Sequence, residues 1–159
     1  MKANLIVLLG LAAGMALGGA AHADANLVPN FNVNTGTVKV TNTGADAVGV
    51  SFATVECTAM GGGACPDPTP AQAAPYTNPA FPNKVTILTI PLNAGAQHNH
   101  VIAFYGSLAF APGSYVFTVC ADAGADIDES SERDNCKRFK KTVRNLTAPG
   151  GLTSNTGNP

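Results

Sequence analysis

Between Cys120 and Cys136 the chain reads CADAGADIDESSERDNC, and six of its ten acidic residues lie inside those two cysteines. Asp122, Asp126, Asp128, Glu129, Glu132 and Asp134 carry hard oxygen ligands, the type that calcium gathers about six to eight at a time. Crowded carboxylates repel one another, which favours a cation among them. The spacing argues the other way, because DIDESSE lacks the glycine and the ligand periodicity of an EF-hand loop. The preferred reading is a solvated hairpin turn, its charges offset by Arg133, Lys137 and Arg138, with Asn135 bonding local backbone. Calcium is the one cofactor these residues suggest.

Paired acids can also do general acid–base work, but they need a cleft and unequal environments to separate their pKa values. A single hairpin supplies neither. His98 and His100 stand at i and i+2, so on a strand they share a face and could begin a transition-metal site, for which a third ligand is missing. The simpler reading is a solvent-facing pair. No Gly-x-Ser-x-Gly elbow occurs, and YGSLA around Ser107 lacks the second glycine. GGGAC, Gly61 to Cys65, is followed by Pro66 where a phosphate-binding helix would have to start. These residues point away from catalysis, and the chain reads as non-enzymatic.

Which chemistry the cysteines can do depends on the compartment, and the amino end addresses that. Lys2 precedes an uncharged apolar run from Leu5 to Leu17, then small residues and Ala21-His22-Ala23, a small-x-small site. A run of about 13 residues is short of the about 20 a spanning helix needs. The reading is a signal peptide over 1–23 and a mature chain from Asp24, exported to the periplasm or beyond, with no membrane insertion after cleavage. Exported thiols pair, so a disulfide framework displaces a zinc site. The local connectivity, Cys57 with Cys65 and Cys120 with Cys136, is favoured over the crossed ones. Neither pair has CxxC spacing, which removes a thioredoxin-like role. Without Lys2, eight basic and ten acidic residues leave a net near −2, and nothing suggests nucleic acid as a partner.

The elements that position these groups read as strands. TVKVTNTG from Thr37 alternates Val38 and Val40 with polar neighbours and stops at a turn signal. AVGVSFATVEC places Val48, Val50 and Phe52 at period two and leads into Cys57. KVTILTI, Lys84 to Ile90, is β-branched and apolar in both parities, which predicts burial on both faces. QHNHVIAFY from Gln97 is ambiguous. SYVFTVCA sets Tyr115, Phe117 and Val119 on one face, and CKRFKKTV sets Phe139 and Val143 on one face of a last strand. Short strands at near-regular spacing describe a two-sheet sandwich. Counted from Phe117 and Phe139, Cys120 and Cys136 both fall on the opposite face, where an antiparallel pair could be cross-linked at the base of the acidic loop. Closing such a loop is worth about 3 kcal/mol.

Between Pro66 and Pro82 lie six of the eleven prolines, with Tyr76 and Phe81 among them. Such a segment cannot enter a sheet centre and should run over the surface with polyproline-like stretches. Tyr76 and Phe81 are a candidate contact patch for a protein or glycan partner. The tail 147–159 has no periodicity and reads as flexible.

Four blocks carry a family resemblance: VKVTNTGADAV (Val38–Val48), LNAGAQ (Leu92–Gln97), APGSYVFTVCAD (Ala111–Asp122) and IDESSERDN (Ile127–Asn135). In that order they resemble a CARDB domain, the cell-adhesion-related domain found in bacteria. That family shows a strand ending in Asn-Thr-Gly, a Leu-x-x-Gly turn, a Pro-Gly-x-Tyr strand entry and an acidic Glu-x-x-Glu-x-Asn-Asn hairpin. Glu129, Glu132, Asp134 and Asn135 fit the hairpin, with Asp134 where Asn is usual. The likeness runs from about Leu27 to Val143, and departs in its short first strand region, its cysteines and an insertion over 58–83. It implies an immunoglobulin-like antiparallel β-sandwich of about seven strands over 24–146, with an adhesive or scaffolding role. The alternatives are a calcium-dependent carbohydrate-binding module and an accessory subunit of an exported enzyme.

Overall fold

The computed structural model describes residues 24–61 and 64–144, and the expected signal peptide over 1–23 and tail over 147–159 lie outside that range. Seven strands form two antiparallel sheets: β1 (Leu27–Asn32), β2 (Thr37–Asn42), β3 (Ser51–Ala59), β4 (Val85–Thr89), β5 (Gln97–Val101), β6 (Gly113–Cys120) and β7 (Cys136–Val143). One sheet runs β1-β2-β5 and the other β4-β3-β6-β7. This is the strand order of an immunoglobulin-like sandwich whose fourth strand has joined the larger sheet. Two short helices, α1 (Pro70–Ala73) and α2 (Ala103–Ser107), lie in the connections.

The core follows from alternation. Leu27, Phe31, Val38 and Val40 from the smaller sheet meet Val55, Tyr115, Phe117 and Val119 from the larger. Without tryptophan, packing centres on aromatic contacts: Phe31 to Phe117 at 5.2 Å and Tyr105 to Phe117 at 5.4 Å between ring centroids. The Tyr115 hydroxyl donates to Ala111 O at 2.8 Å, tying the start of β6 to the chain just before it. That back-bond at the strand entry is the tyrosine corner of immunoglobulin-like sandwiches.

Asn42 ends β2 for a physical reason. It is fully buried, its Nδ2 donating to Asp46 O (2.7 Å) and Leu92 O (3.2 Å), while its Oδ1 accepts from Asn26 N (3.3 Å) and Gly44 N (3.1 Å). The turn after it needs a residue without a side chain, since a Cβ on Gly44 would lie 2.0 Å from Asp24 O.

Two strand expectations change. In β3 the inward residues are Ser51, Ala53 and Val55, whereas Val50 is 51% exposed and Phe52 lies on the outer face. The switch comes at Gly49–Val50, because Val48 is buried through an isolated bridge to Leu92 and the strand proper begins only at Ser51. Burial on both faces of β4 also fails. It is an edge strand, and its outward Leu88 is 54% exposed.

Candidate functional site

The cysteines pair locally, Cys57 with Cys65 and Cys120 with Cys136. Cys120 and Cys136 are direct register partners at the open end of β6 and β7, with Cα atoms 4.0 Å apart, so the parity argument reaches the right face. Thr54 is opposite Cys120 on β3, and this outer row lies on the side of the sheet away from the core.

The acidic segment does not protrude into water as a simple solvated turn. It folds back across the start of β1. Glu129 Oε2 accepts the Leu27 amide, Asp134 Oδ2 accepts from Asn26 Nδ2 at 3.0 Å, and Ser130 N donates to Ala25 O at 2.9 Å. Asp122 Oδ2 accepts the Ile127 amide at 2.9 Å, closing the loop on itself, and Glu132 accepts from Asn135 Nδ2 at 2.6 Å. Among the described residues the only salt bridge is Lys84 with Glu56 at 3.7 Å, so Arg133, Lys137 and Arg138 form no ion pairs with the hairpin. Nor is Asn135 a local backbone cap; it is buried, and its side chain serves Glu132.

Burial pushes the Glu129 carboxyl up to about 7, the Leu27 amide pulling against it and the charges of Glu132 and Asp122 adding to it. The amide of Asn26 holds Asp134 below the usual carboxylate range. Asp126 and Asp128 are exposed and take no part in these bonds. The six acids therefore divide three ways: Glu129 and Asp134 fasten the start of β1, Asp122 and Glu132 bond within the loop, and Asp126 and Asp128 face solvent. Among the described residues no group of three or more His, Cys, Asp or Glu side chains is placed to hold a metal ion.

His98 and His100 are not solvent-facing. Their register partners are Val40 and Val38, both core residues, so the two imidazoles point inward at the sandwich edge. Their ring centroids are 6.3 Å apart. Burial lowers the affinity of His100 for a proton, and His98 lowers it further.

The insertion is more structured than its composition suggests. The Cys57–Cys65 disulfide pins its start. Thr69 caps α1 in a reciprocal box with Gln72, Pro70 fills the first helical position, and a 3-10 turn follows over Ala74–Tyr76. Tyr76 then reaches across to the other sheet, meeting His100 at 5.7 Å and Phe104 at 5.5 Å, with its hydroxyl donating to Val101 O at 3.4 Å. Phe81 packs on Phe52 at 6.1 Å.

This bridge borders a half-open cavity of about 570 Å³. Its floor is Val55 and Val85, from the inner faces of β3 and β4, with Tyr105 of α2 and the Cys57–Cys65 bridge. Tyr76 and Phe81 both line it, so the structure brings the two candidate contact residues to one site. The volume lies in the about 300–1,000 Å³ range of small-molecule sites. Tyr105 is the residue that sequence reasoning missed; it sits in the stretch whose periodicity is ambiguous, and only the fold carries α2 under the insertion. Burial pushes its phenol up to about 12.

No family model matches the chain, and no curated protein or solved structure does. The two disulfides are compatible with an exported protein, and among the described residues no helix is long and apolar enough to cross a membrane.

Proposed function

We propose that this chain is an exported, non-enzymatic binding module whose recognition site is the cavity beneath the proline-rich insertion. One observation carries the reading. An insertion that only linked two strands would need no fastening along its length, yet this one is held by Cys57–Cys65 at its start and by Tyr76, midway along it, on the opposite sheet. What it borders is a mostly apolar hollow with polar groups at its margin, the usual anatomy of a ligand site. The likeness of the acidic hairpin to the CARDB block supports an adhesive or scaffolding setting for such a module, with a protein or glycan as its surface partner.

The test is a ligand-observed NMR screen of small ring compounds on the disulfide-bonded protein and on Ala73→Trp. Ala73 lines the cavity from α1, so an indole there fills it while leaving the sandwich untouched. The expected result is a set of binders lost in the variant, with unchanged circular dichroism. Equal binding to both proteins would overturn the proposal.

A further inference from the structure

The chemistry of the cavity narrows its occupant, and this inference rests on the binding-module reading above. The floor is apolar, with Val55 0% and Tyr105 6% exposed. Tyr105 packs its ring on Phe31 and Phe117, its hydroxyl makes no hydrogen bond among the described residues, and it lines the cavity. At the rim the Asn78 Oδ1 is taken by the Ala80 amide at 2.9 Å, leaving its NH₂ available. Asp67 and Asn83 also line the rim and make no side-chain hydrogen bond among the described residues. Lys84 is matched by Glu56 at 3.7 Å.

An occupant must therefore bring an apolar face for Tyr76, Phe81 and the valines, and groups that both donate and accept for the phenol, the amides and the carboxylate. It should carry no net charge. An anion finds only a lysine already paired, and a cation finds Asp67 at the exposed rim and the ring faces of Tyr76 and Phe81, rings that an apolar face serves without the cost of stripping a charge of water over a valine floor. A sugar ring meets all three conditions, because its C–H faces are apolar and its edges are hydroxyls. We propose that the cavity takes a neutral mono- or disaccharide, one ring seated against Tyr76 and Phe81 with a hydroxyl reaching Tyr105 and others meeting Asn83 and Asp67.

Amide-resolved NMR titration of the disulfide-bonded protein tests this. The probes are N-acetylglucosamine, methyl mannoside and cellobiose, against glucuronate and choline as charged comparisons and benzyl alcohol as an apolar one. At least one neutral sugar should shift the amides of residues 66–85 and 105, with glucuronate and choline silent. Tyr105→Phe keeps the ring packing and should weaken that sugar about tenfold. Asn83→Ala, at the exposed rim, should weaken it without touching the core. If benzyl alcohol or a charged probe enters while every neutral sugar is silent, the sugar assignment falls and the binding cavity stands. If no probe perturbs the cavity, both fall. Sugar-induced shifts that are confined to the outer face of β4, or unchanged in both variants, also overturn the assignment.

Discussion

Asn42 ties the end of β2 to the start of β1 and to the connection before β5 through one buried side chain. The Asn-Thr-Gly signal is legible in the sequence as a turn. That its asparagine is buried and serves four backbone groups is not, because three of the partners, in Asn26, Asp46 and Leu92, come together only on folding. Replacing it with alanine orphans buried amides and carbonyls, so Asn42→Ala should cost about 2–4 kcal/mol in chemical denaturation. Glu129 makes a pH prediction with a definite sign. Its carboxyl is raised from 4.5 to about 7 in the fold, so it favours the folded state most below about 4.5, and that contribution is lost as pH rises through about 7. Thermal melting followed from pH 5 to pH 8 should show a falling midpoint attributable to this group. Glu129→Gln, which keeps an acceptor for the Leu27 amide, should flatten that fall; an unaltered slope would remove Glu129 as its source.

At the scale of elements, the strands with clean alternation were legible and those whose burial depends on a neighbour were not. Val38 and Val40 on β2, and Tyr115, Phe117 and Val119 on β6, face the core as their period dictates. In β4 a run rich in β-branched residues leaves the period silent, and the strand's place at a sheet edge is a matter of topology. β5 was harder still, since its inward positions are His98 and His100, polar types that periodicity assigns to solvent. Tyr76 of the insertion covers His100, and His98 packs beside it. This gives the insertion a pH-sensitive seat. Burial and the neighbouring His98 lower the proton affinity of His100, so acidification below about 6.5 charges the unfolded or opened chain more readily than the closed one. No carboxylate forms a salt bridge with either ring among the described residues. Hydrogen exchange of residues 69–83 should therefore quicken as pH falls from 7 to 5, after correction for intrinsic rates. A His98→Asn/His100→Asn double variant should lose that dependence, and retained dependence would place the sensitivity elsewhere.

On the scale of the whole molecule, the two disulfides brace different things, and the distinction is measurable. Cys120–Cys136 joins adjacent strands at the base of the hairpin that fastens β1, through Glu129 on Leu27, Ser130 on Ala25 and Asp134 on Asn26. The hairpin thus links the larger sheet to the first strand of the smaller, and the disulfide anchors its base. Cys57–Cys65 spans only 8 positions of sequence and holds the insertion over the cavity on the β4–β5 side. Loop-closure entropy assigns them similar worth, about 3 kcal/mol for the longer and about 2.5 kcal/mol for the shorter. The difference lies in what each releases. Replacing Cys120 and Cys136 by serine should lower the global unfolding midpoint and raise exchange at residues 24–27 together with 122–135. The same change at Cys57 and Cys65 should loosen 64–83 and weaken cavity binding, while protection in β2, β6 and β7 stays near that of the parent protein. Loss of protection spread evenly over both sheets in the second variant would mean that the insertion is part of the cooperative core and not a roof added to it.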